Sequence, residues 1–375
     1  MRLLARYLVR ECLVALGYCF TAFLILWVAL DLIGSLHDMQ DNKMRAGDIA
    51  EYYLYRIPEF LPVALPVALL LALLYALTNH ARHNELTAIR AAGVSLWRLS
   101  LPYFVIGFFA AGVLFVVNEF CAPITADIAE QILVRRVQRH LSAEERKQEK
   151  NVTFYNAASK RLWWAGIYNR DTGEMPQNLT VDWPQPDGTW RKLIANHGVY
   201  SNGVWTFFQV HLQQYAGTNA LSVRLPQTNV LVVPEFKEKP EEITSTLKIT
   251  AQHDHPTRTH RADVPITEFL NYLRFNPHPE GSMRAWLYTK LHGRFAGPFT
   301  CVVVVVIAVP FAAAPGRRNV FVGVTASIVV FFVFYLMQQL GFAFGEAGNI
   351  PAWLGAWFPN LLFGTAGLCF MLKIR

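Results

Sequence analysis

The chain has 375 residues, of which 53% are hydrophobic and only 16% charged, against roughly 25% charged in an average soluble domain. That deficit excludes an ordinary water-soluble enzyme. The net charge of +7 does not point to nucleic acid either, because the Lys and Arg residues gather beside apolar runs instead of forming one basic face.

In chain order, Arg2, Arg6 and Arg10 lead into the first apolar run, 13–36, and the runs 57–77 and 99–118 follow. After a polar middle come 295–314, 320–345 and 353–372. Each run has about 20 residues or more, enough for a helix to cross a ~30 Å hydrocarbon layer. The first is too long for the apolar part of a cleaved signal peptide, and no small-residue cleavage site follows it, so it reads as a retained helix. The expected fold is an integral membrane α-helical protein with six transmembrane helices in a 3+3 layout and an inserted all-β domain. The expected division is 1–118 for the first three spans, with a cytoplasmic helix within 78–98; 119–288 for the inserted domain and its helical connectors; and 289–375 for the last three spans.

Charge gives the orientation. Arg2, Arg6 and Arg10, then Arg82, Arg90 and Arg98, then Arg317 and Arg318, and finally Lys373 and Arg375 all fall on one side if six spans alternate. The positive-inside rule makes that side cytoplasmic and puts the middle domain outside the cytoplasm. The short loop 38–56 also faces out, its Lys43, Arg45 and Arg56 offset by Asp38, Asp41, Asp48 and Glu51. Cys12, Cys19, Cys301 and Cys369 fall in or beside the spans, which leaves Cys121 alone near the outer surface and no disulfide framework for the inserted domain.

Past the third span, 124–146 keeps apolar residues at helical spacing and reads as a helix running on into water. From Val152 the pattern changes to short aromatic and β-branched runs, 152–155, 161–168, 193–200, 204–215 and 221–233. Turn signals separate them: Asp171-Thr172-Gly173, Pro186-Asp187-Gly188 and Ser201-Asn202-Gly203. Many short strands at such spacing predict an antiparallel sandwich or open roll, with Trp163, Trp164, Trp183, Trp190 and Trp205 as core material. The stretch 237–261 reads as a polar linker and 265–275 as a helix returning to the membrane. His253, Asp254, His255 and His260 are interrupted by Pro256 and lack the spacing of one helical face, so they read as a solvated loop and not a metal site.

No phosphate-binding G-x-x-x-x-G-K-[ST] loop occurs, so the chain carries no ATP site of that kind. Asp31 and Glu59 lie near the outer ends of their spans, which is no proton relay. The turn 78–98 is more informative. Strong helix formers fill 81–92, Gly93 suits a left-handed helix end, and Ser95 suits a cap for the next helix. Glu85 and Ile89 share a face with small Ala88 and Ala92. That pattern fits a groove on a partner protein, or simply a surface helix joining two spans.

With these features in hand, the chain resembles the lipopolysaccharide-export permeases, the LptF/LptG or YjgP/YjgQ family. The resemblance rests on Asn84-Glu85-Leu86-Thr87-Ala88-Ile89-Arg90-Ala91-Ala92-Gly93-Val94-Ser95, on Arg294-Phe295-Ala296-Gly297-Pro298, on Ala308-Val309-Pro310-Phe311 and on Trp357-Phe358-Pro359-Asn360. It implies a non-catalytic permease subunit of an ATP-binding-cassette exporter in a Gram-negative inner membrane, extracting lipopolysaccharide, with the inserted domain a periplasmic β-jellyroll that passes the lipid to a periplasmic bridge. The implied partners are a homologous permease, a cytoplasmic ATPase dimer that uses ATP and Mg, a single-span periplasmic jellyroll protein and lipopolysaccharide itself; this chain would bind no cofactor and no nucleic acid.

The family's coupling helix maps onto Arg82, Glu85, Ala88, Ile89, Ala92 and Gly93, with Glu85 as the acid that engages the ATPase. The first and fifth spans would form the lipid gate, with Leu24, Trp27, Asp31, Phe331, Phe334 and Tyr335 as candidates. Family members often carry a basic residue where this chain has Asp31, so Lys43, Arg45 and Arg56 become the phosphate-contact candidates. The Asp31-Leu32-Ile33 region and the Ala-Ile-Arg-Ala-Ala-Gly loop lean toward the LptG type. The competing readings are a mechanotransmission protein coupled to the same class of ATPase, against which six spans argue, and a membrane-bound lipid-modifying enzyme, for which no acid, base and nucleophile set stands out.

Overall fold

A computed structural model describes residues 2–135, 148–170, 172–215, 223–224, 226–254, 264–279, 281–313 and 320–373. The chain forms two compact units, a helical one from residues 1–133 and 281–375 and a second, β-rich one inserted between those two stretches.

In the helical unit, α1 (Arg2–Asp41), α2 (Ala46–Arg82), α3 (Glu85–Ala91) and α4 (Leu96–Val116) are followed by a π-helical turn, Val117–Cys121, and α5 (Ala122–Val134). The last three helices are α8 (Gly281–Ala313), α9 (Val320–Glu346) and α10 (Ala352–Lys373). Six spans among the described residues are long and apolar enough to cross a membrane, α4, the π turn and α5 forming one continuous span. Arg317, Arg318 and Arg375 lie outside the described residues. Eight prolines fall within these helices, three of them spaced four residues apart in α2 (Pro58, Pro62 and Pro66). Membrane helices tolerate this because neighbouring helices re-satisfy the freed backbone groups.

α8 is the central post. The apolar window of α8 is 78% buried, against 6% for α1 and 17% for α9. Its run Cys301 to Val309 is buried throughout. Lipid tails are as apolar as valine, so what this burial contributes is close packing and not the hydrophobic effect. Small residues allow that packing: a Cβ on Gly107 of α4 would come within 2.7 Å of Val305 Cγ2. One cluster joins Leu8, Leu77, Leu86, Leu99, Val309 and Met371. These residues mark the start of α1, the end of α2, α3, the start of α4 and the ends of α8 and α10. A separate cluster, Met39, Tyr52, Tyr53, Ala129 and Ile132, marks the opposite ends.

The second unit is an antiparallel eight-stranded sheet that curls on itself. Its strands are β1 (Gln148–Asn156), β2 (Arg161–Asn169), β3 (Gln177–Pro184), β4 (Trp190–Ala195), β5 (His197–Ser201), β6 (Val204–Tyr215), β7 (Val223–Arg224) and β8 (Thr228–Val233). The order is β1-β2-β3-β4-β6-β5, with β7 and β8 also pairing β6. Asn202 (φ 53°) and Gly203 (φ 83°) close the β5–β6 hairpin in the doubly left-handed turn that matches strand twist. Trp163, Trp205, Phe207 and Phe236 are fully buried, with Trp163 5.3 Å from both Trp205 and Phe236. The pleat sends neighbouring Trp164 outward, where it is 38% exposed, so it is not core as expected. Trp183 and Trp190 are half-buried.

Inside the sheet's rim, buried Glu238 accepts from Arg161 (3.0 Å), Asn156 (2.8 Å) and Ser159 (3.1 Å). A buried carboxylate needs such partners, and here a guanidinium, an amide and a hydroxyl supply them.

Three sequence expectations need correction here. The stretch 237–261 is not only linker: α6 (Pro240–Asp254) occupies it, with Pro240 at the start, Glu241 and Glu242 in the first turn, and Ile243 and Ile249 fully buried. Strand β3 was not anticipated, and 193–200 divides at Asn196 into two strands. The helix at 265–275 is present as α7 (Ile266–Phe275), tied to α6 by Lys248–Glu268 (2.7 Å) and Arg274–Glu242 (3.2 Å). His253 and Asp254 end α6, while His255, His260 and the stretch 136–146 lie outside the described residues.

Candidate functional site

Between α2, the π turn, α8 and α9 lies a cavity of about 240 Å³. Its lining combines Phe331, Phe334, Tyr335, Gln338, Gln339 and Phe342 of α9 with Lys290 and Arg294 of α8 and Asn118 of the π turn. Phe331, Phe334 and Tyr335 are three of the expected gate residues, and the structure brings them together here. The two cations were missed. α8 begins at Gly281, well before the apolar run that starts at 295, so Lys290 and Arg294 are helix-borne and four apart on one face. Two cations inside a span's first turns are costly unless they have a purpose, and their i, i+4 spacing was the available signal.

The cavity's shape has identifiable causes. Gly293 admits the Phe342 ring, since a Cβ there would come within 2.7 Å of it. Lys290 Nζ is 3.2 Å from Glu346 Oε1 and 5.9 Å from the Phe342 centroid. The π turn widens the third span locally and places buried Asn118 on the cavity; such bulges often occur at functional sites. Pro62 and Pro66 complete the α2 side. Below it, Asn360 Nδ2 donates to the Ala296 carbonyl at 2.7 Å and fixes α10 against α8.

Of the remaining gate and phosphate candidates, Trp27, Asp31 and Arg56 come together elsewhere, between the second half of α1 and the first turns of α2. Arg56 pairs with Asp31 at 2.8 Å and with Glu59 at 3.3 Å, and Tyr53 donates to Asp31 at 2.9 Å. The Arg56 guanidinium also lies over the rings of Tyr52 (5.3 Å) and Trp27 (5.8 Å). Trp27 stacks on Phe60 at 4.1 Å, beside Phe23. Arg56 is thus flanked by two carboxylates, which sets it up to hold α1 to α2. Lys43 and Arg45 are exposed in the turn between the two helices, with the Arg45 N–H donating to Asp48. Leu24 is half-buried.

At the other end, α3 is shorter than expected. The helix over 81–92 breaks at Asn84, which adopts the left-handed conformation (φ 58°) that Asn tolerates well. α3 ends as the sequence predicts: Gly93 has φ 83°, its N–H donates to Arg90 and that of Val94 to Ile89. Ser95 Oγ then caps α4 by accepting from Arg98 N–H. Arg82, Ala88, Ala92 and Gly93 are exposed and Ile89 half-buried, while the Glu85 carboxylate turns toward His80 and Tyr7.

A family model described as Lipopolysaccharide export system permease LptF/LptG matches residues 6–373. The chain belongs to that family. The match takes in both permease types together, and it spans the helical unit and the inserted β-rich unit alike. The permease is therefore a transporter component of the lipopolysaccharide export system. No curated protein matches the chain. Within the permease, the aromatic and cationic cavity is the described site whose chemistry suits an amphiphile that carries both acyl chains and phosphates.

Proposed function

We propose that this permease works as one of two homologous transmembrane subunits of an ATP-driven exporter in a Gram-negative inner membrane, lifting lipopolysaccharide toward a periplasmic bridge. The observation that carries this reading is the cavity lined by the α9 aromatics together with Lys290 and Arg294. At about 240 Å³ it is smaller than the roughly 300–1,000 Å³ of a pocket for one small molecule. It suits a recess that takes a headgroup or part of an acyl chain, one half of a larger chamber. The low burial of α1 and α9 supports placing the second permease and the lipid gate along those two helices. By the positive-inside rule the Arg-rich ends face the cytoplasm, where α3 would meet the ATPase dimer that supplies ATP and Mg chemistry. The β-rich unit would then be periplasmic, with a single-span jellyroll protein as neighbour. The loop and the Asp31 region favour the LptG type.

A photoreactive residue at Tyr335 or Gln338 is expected to capture lipopolysaccharide in ATP-supplied membranes, and Arg294→Glu to reduce that capture at least about tenfold, as loss of a charge-assisted contact implies. Equal capture at outward-facing Phe332 would mean contact with bulk lipid and would reject the cavity as the binding site.

A further inference from the structure

Glu85 sits at the junction of three helices. Its Oε2 is 2.6 Å from His80 Nδ1, on the last turn of α2, and accepts from the Tyr7 hydroxyl of α1 at 3.3 Å. Tyr7 and His80 meet edge to face, with ring centroids 5.4 Å apart. A carboxylate only accepts, so the His80 proton toward Glu85 is on Nδ1. His80 is 1% exposed, and its Nε2 has no hydrogen-bond partner among the described residues. A leucine would fill that site without an orphaned nitrogen, so the imidazole is explained by what Nδ1 does for Glu85.

The two carboxylate oxygens are not equivalent. Oε2 is held from inside by both groups, whereas among the described residues Oε1 makes only the 3.5 Å contact to Tyr7. The side chain is 39% exposed, which leaves Oε1 lone pairs available to an outside donor. An ionised carboxylate accepts up to about four hydrogen bonds, so one oxygen can be docked internally while the other is offered outward.

We propose that Tyr7 and His80 are positioning residues that lock Glu85 into a bridge: His80 presets the carboxylate, and Tyr7 ties it to the first span. A pull on Oε1 by a cationic group of the cytoplasmic ATPase is then passed to α1 directly, without first moving the whole of α2. This rests on reading α3 as the ATPase-docking turn. The outside group must be a hydrogen-bond donor, because an ionised carboxylate only accepts, and a cationic donor makes the strongest such contact.

The test uses the full complex of both permeases and the ATPase in vesicles containing lipopolysaccharide, with lipid delivered per ATP hydrolysed as the readout. Tyr7→Phe keeps the ring against His80 and removes only the hydroxyl. It is expected to leave the ATPase bound and hydrolysing while the delivery ratio falls about three- to tenfold, the scale of one lost hydrogen bond. His80→Leu is expected to lower the ratio likewise, and His80→Asn, whose amide restores a donor near the Nδ1 position, to recover most of it. Tyr7→Phe combined with Glu85→Gln is expected to match the worse single variant, since both break one link. A parental ratio in Tyr7→Phe would overturn the bridge, whatever His80→Leu does. So would losses that only track thermal stability and that His80→Asn does not rescue. Glu85→Lys separates the two layers: if it leaves ATPase binding and turnover intact, the docking reading itself fails. If it releases the ATPase while Tyr7→Phe is silent, only the bridge fails.

Discussion

Tyr168 shows how one buried phenol ties the β-rich unit to a pH range. Its hydroxyl donates to the Pro240 carbonyl at 2.9 Å and meets Thr244 Oγ1 at 2.8 Å, joining β2 to the start of α6. Burial pushes its pKa from 10.0 up to about 12, slightly opposed by the Thr244 hydroxyl. Below its ordinary value the phenol is protonated whether the chain is folded or not, and the contact is fully present. As pH rises from 10 toward 12 the unfolded chain ionises first, so stability drains away through that window. The loss from this residue is on the order of 2–3 kcal/mol. Denaturation followed by tryptophan fluorescence is expected to show a shallower alkaline decline in Tyr168→Phe than in the parent. An identical decline would assign the effect to other groups. At this scale the sequence is least legible. Asp31 and Arg56 read as separate gate and phosphate residues, yet they are 2.8 Å apart, and no local pattern links positions so far apart in the chain.

Helices and strands are legible where one physical signal dominates. The six spans announce themselves because a bilayer requires length and apolarity together, whatever their tertiary contacts. The cap at Ser95 and the left-handed end at Gly93 are equally local, and both are found. α6 escapes because its buried face mixes Ile243 and Ile249 with Ser245 and Thr246, whose hydroxyls bond back to Glu241 and Glu242 instead of advertising a core. The cavity escapes for a related reason: α8 starts inside what reads as connector, so its two cations look external. Packing of α9 on α10 also depends on detail that periodicity does not reveal. Gly341, Gly345 and Gly355 bring the two backbones together, a Cβ on Gly355 lying 2.7 Å from the Gly341 carbonyl oxygen. Gly355→Leu is expected to force the helices apart at a cost of about 1–3 kcal/mol, seen as a lower aggregation temperature in detergent. Gly364→Leu, on the same helix but where a Cβ would meet nothing closer than 4.0 Å, is the matched control.

For the whole molecule, the clusters at the two ends of the helical unit give a topological prediction. Exposed Arg82 and the exposed Asp187 turn between β3 and β4 belong to opposite sides of the bilayer on the positive-inside reading. In a background without native thiols, Arg82→Cys is expected to react with an impermeant reagent only after the membrane is opened, and Asp187→Cys on intact spheroplasts. The reverse pattern would invert the protein and remove α3 from the ATPase.

The insertion of the β-rich unit between the third and fourth spans divides the membrane part into two separate stretches of chain. α8, from the second stretch, is buried against α2 and α4, from the first. The covalent join between the two stretches is therefore not what keeps them together. A permease nicked by a protease within the inserted unit is expected to purify as a stoichiometric pair of fragments, much like a two-piece receptor held by its own core. Fragments that part in mild detergent would mean that continuity of the chain, and not α8, secures the bundle.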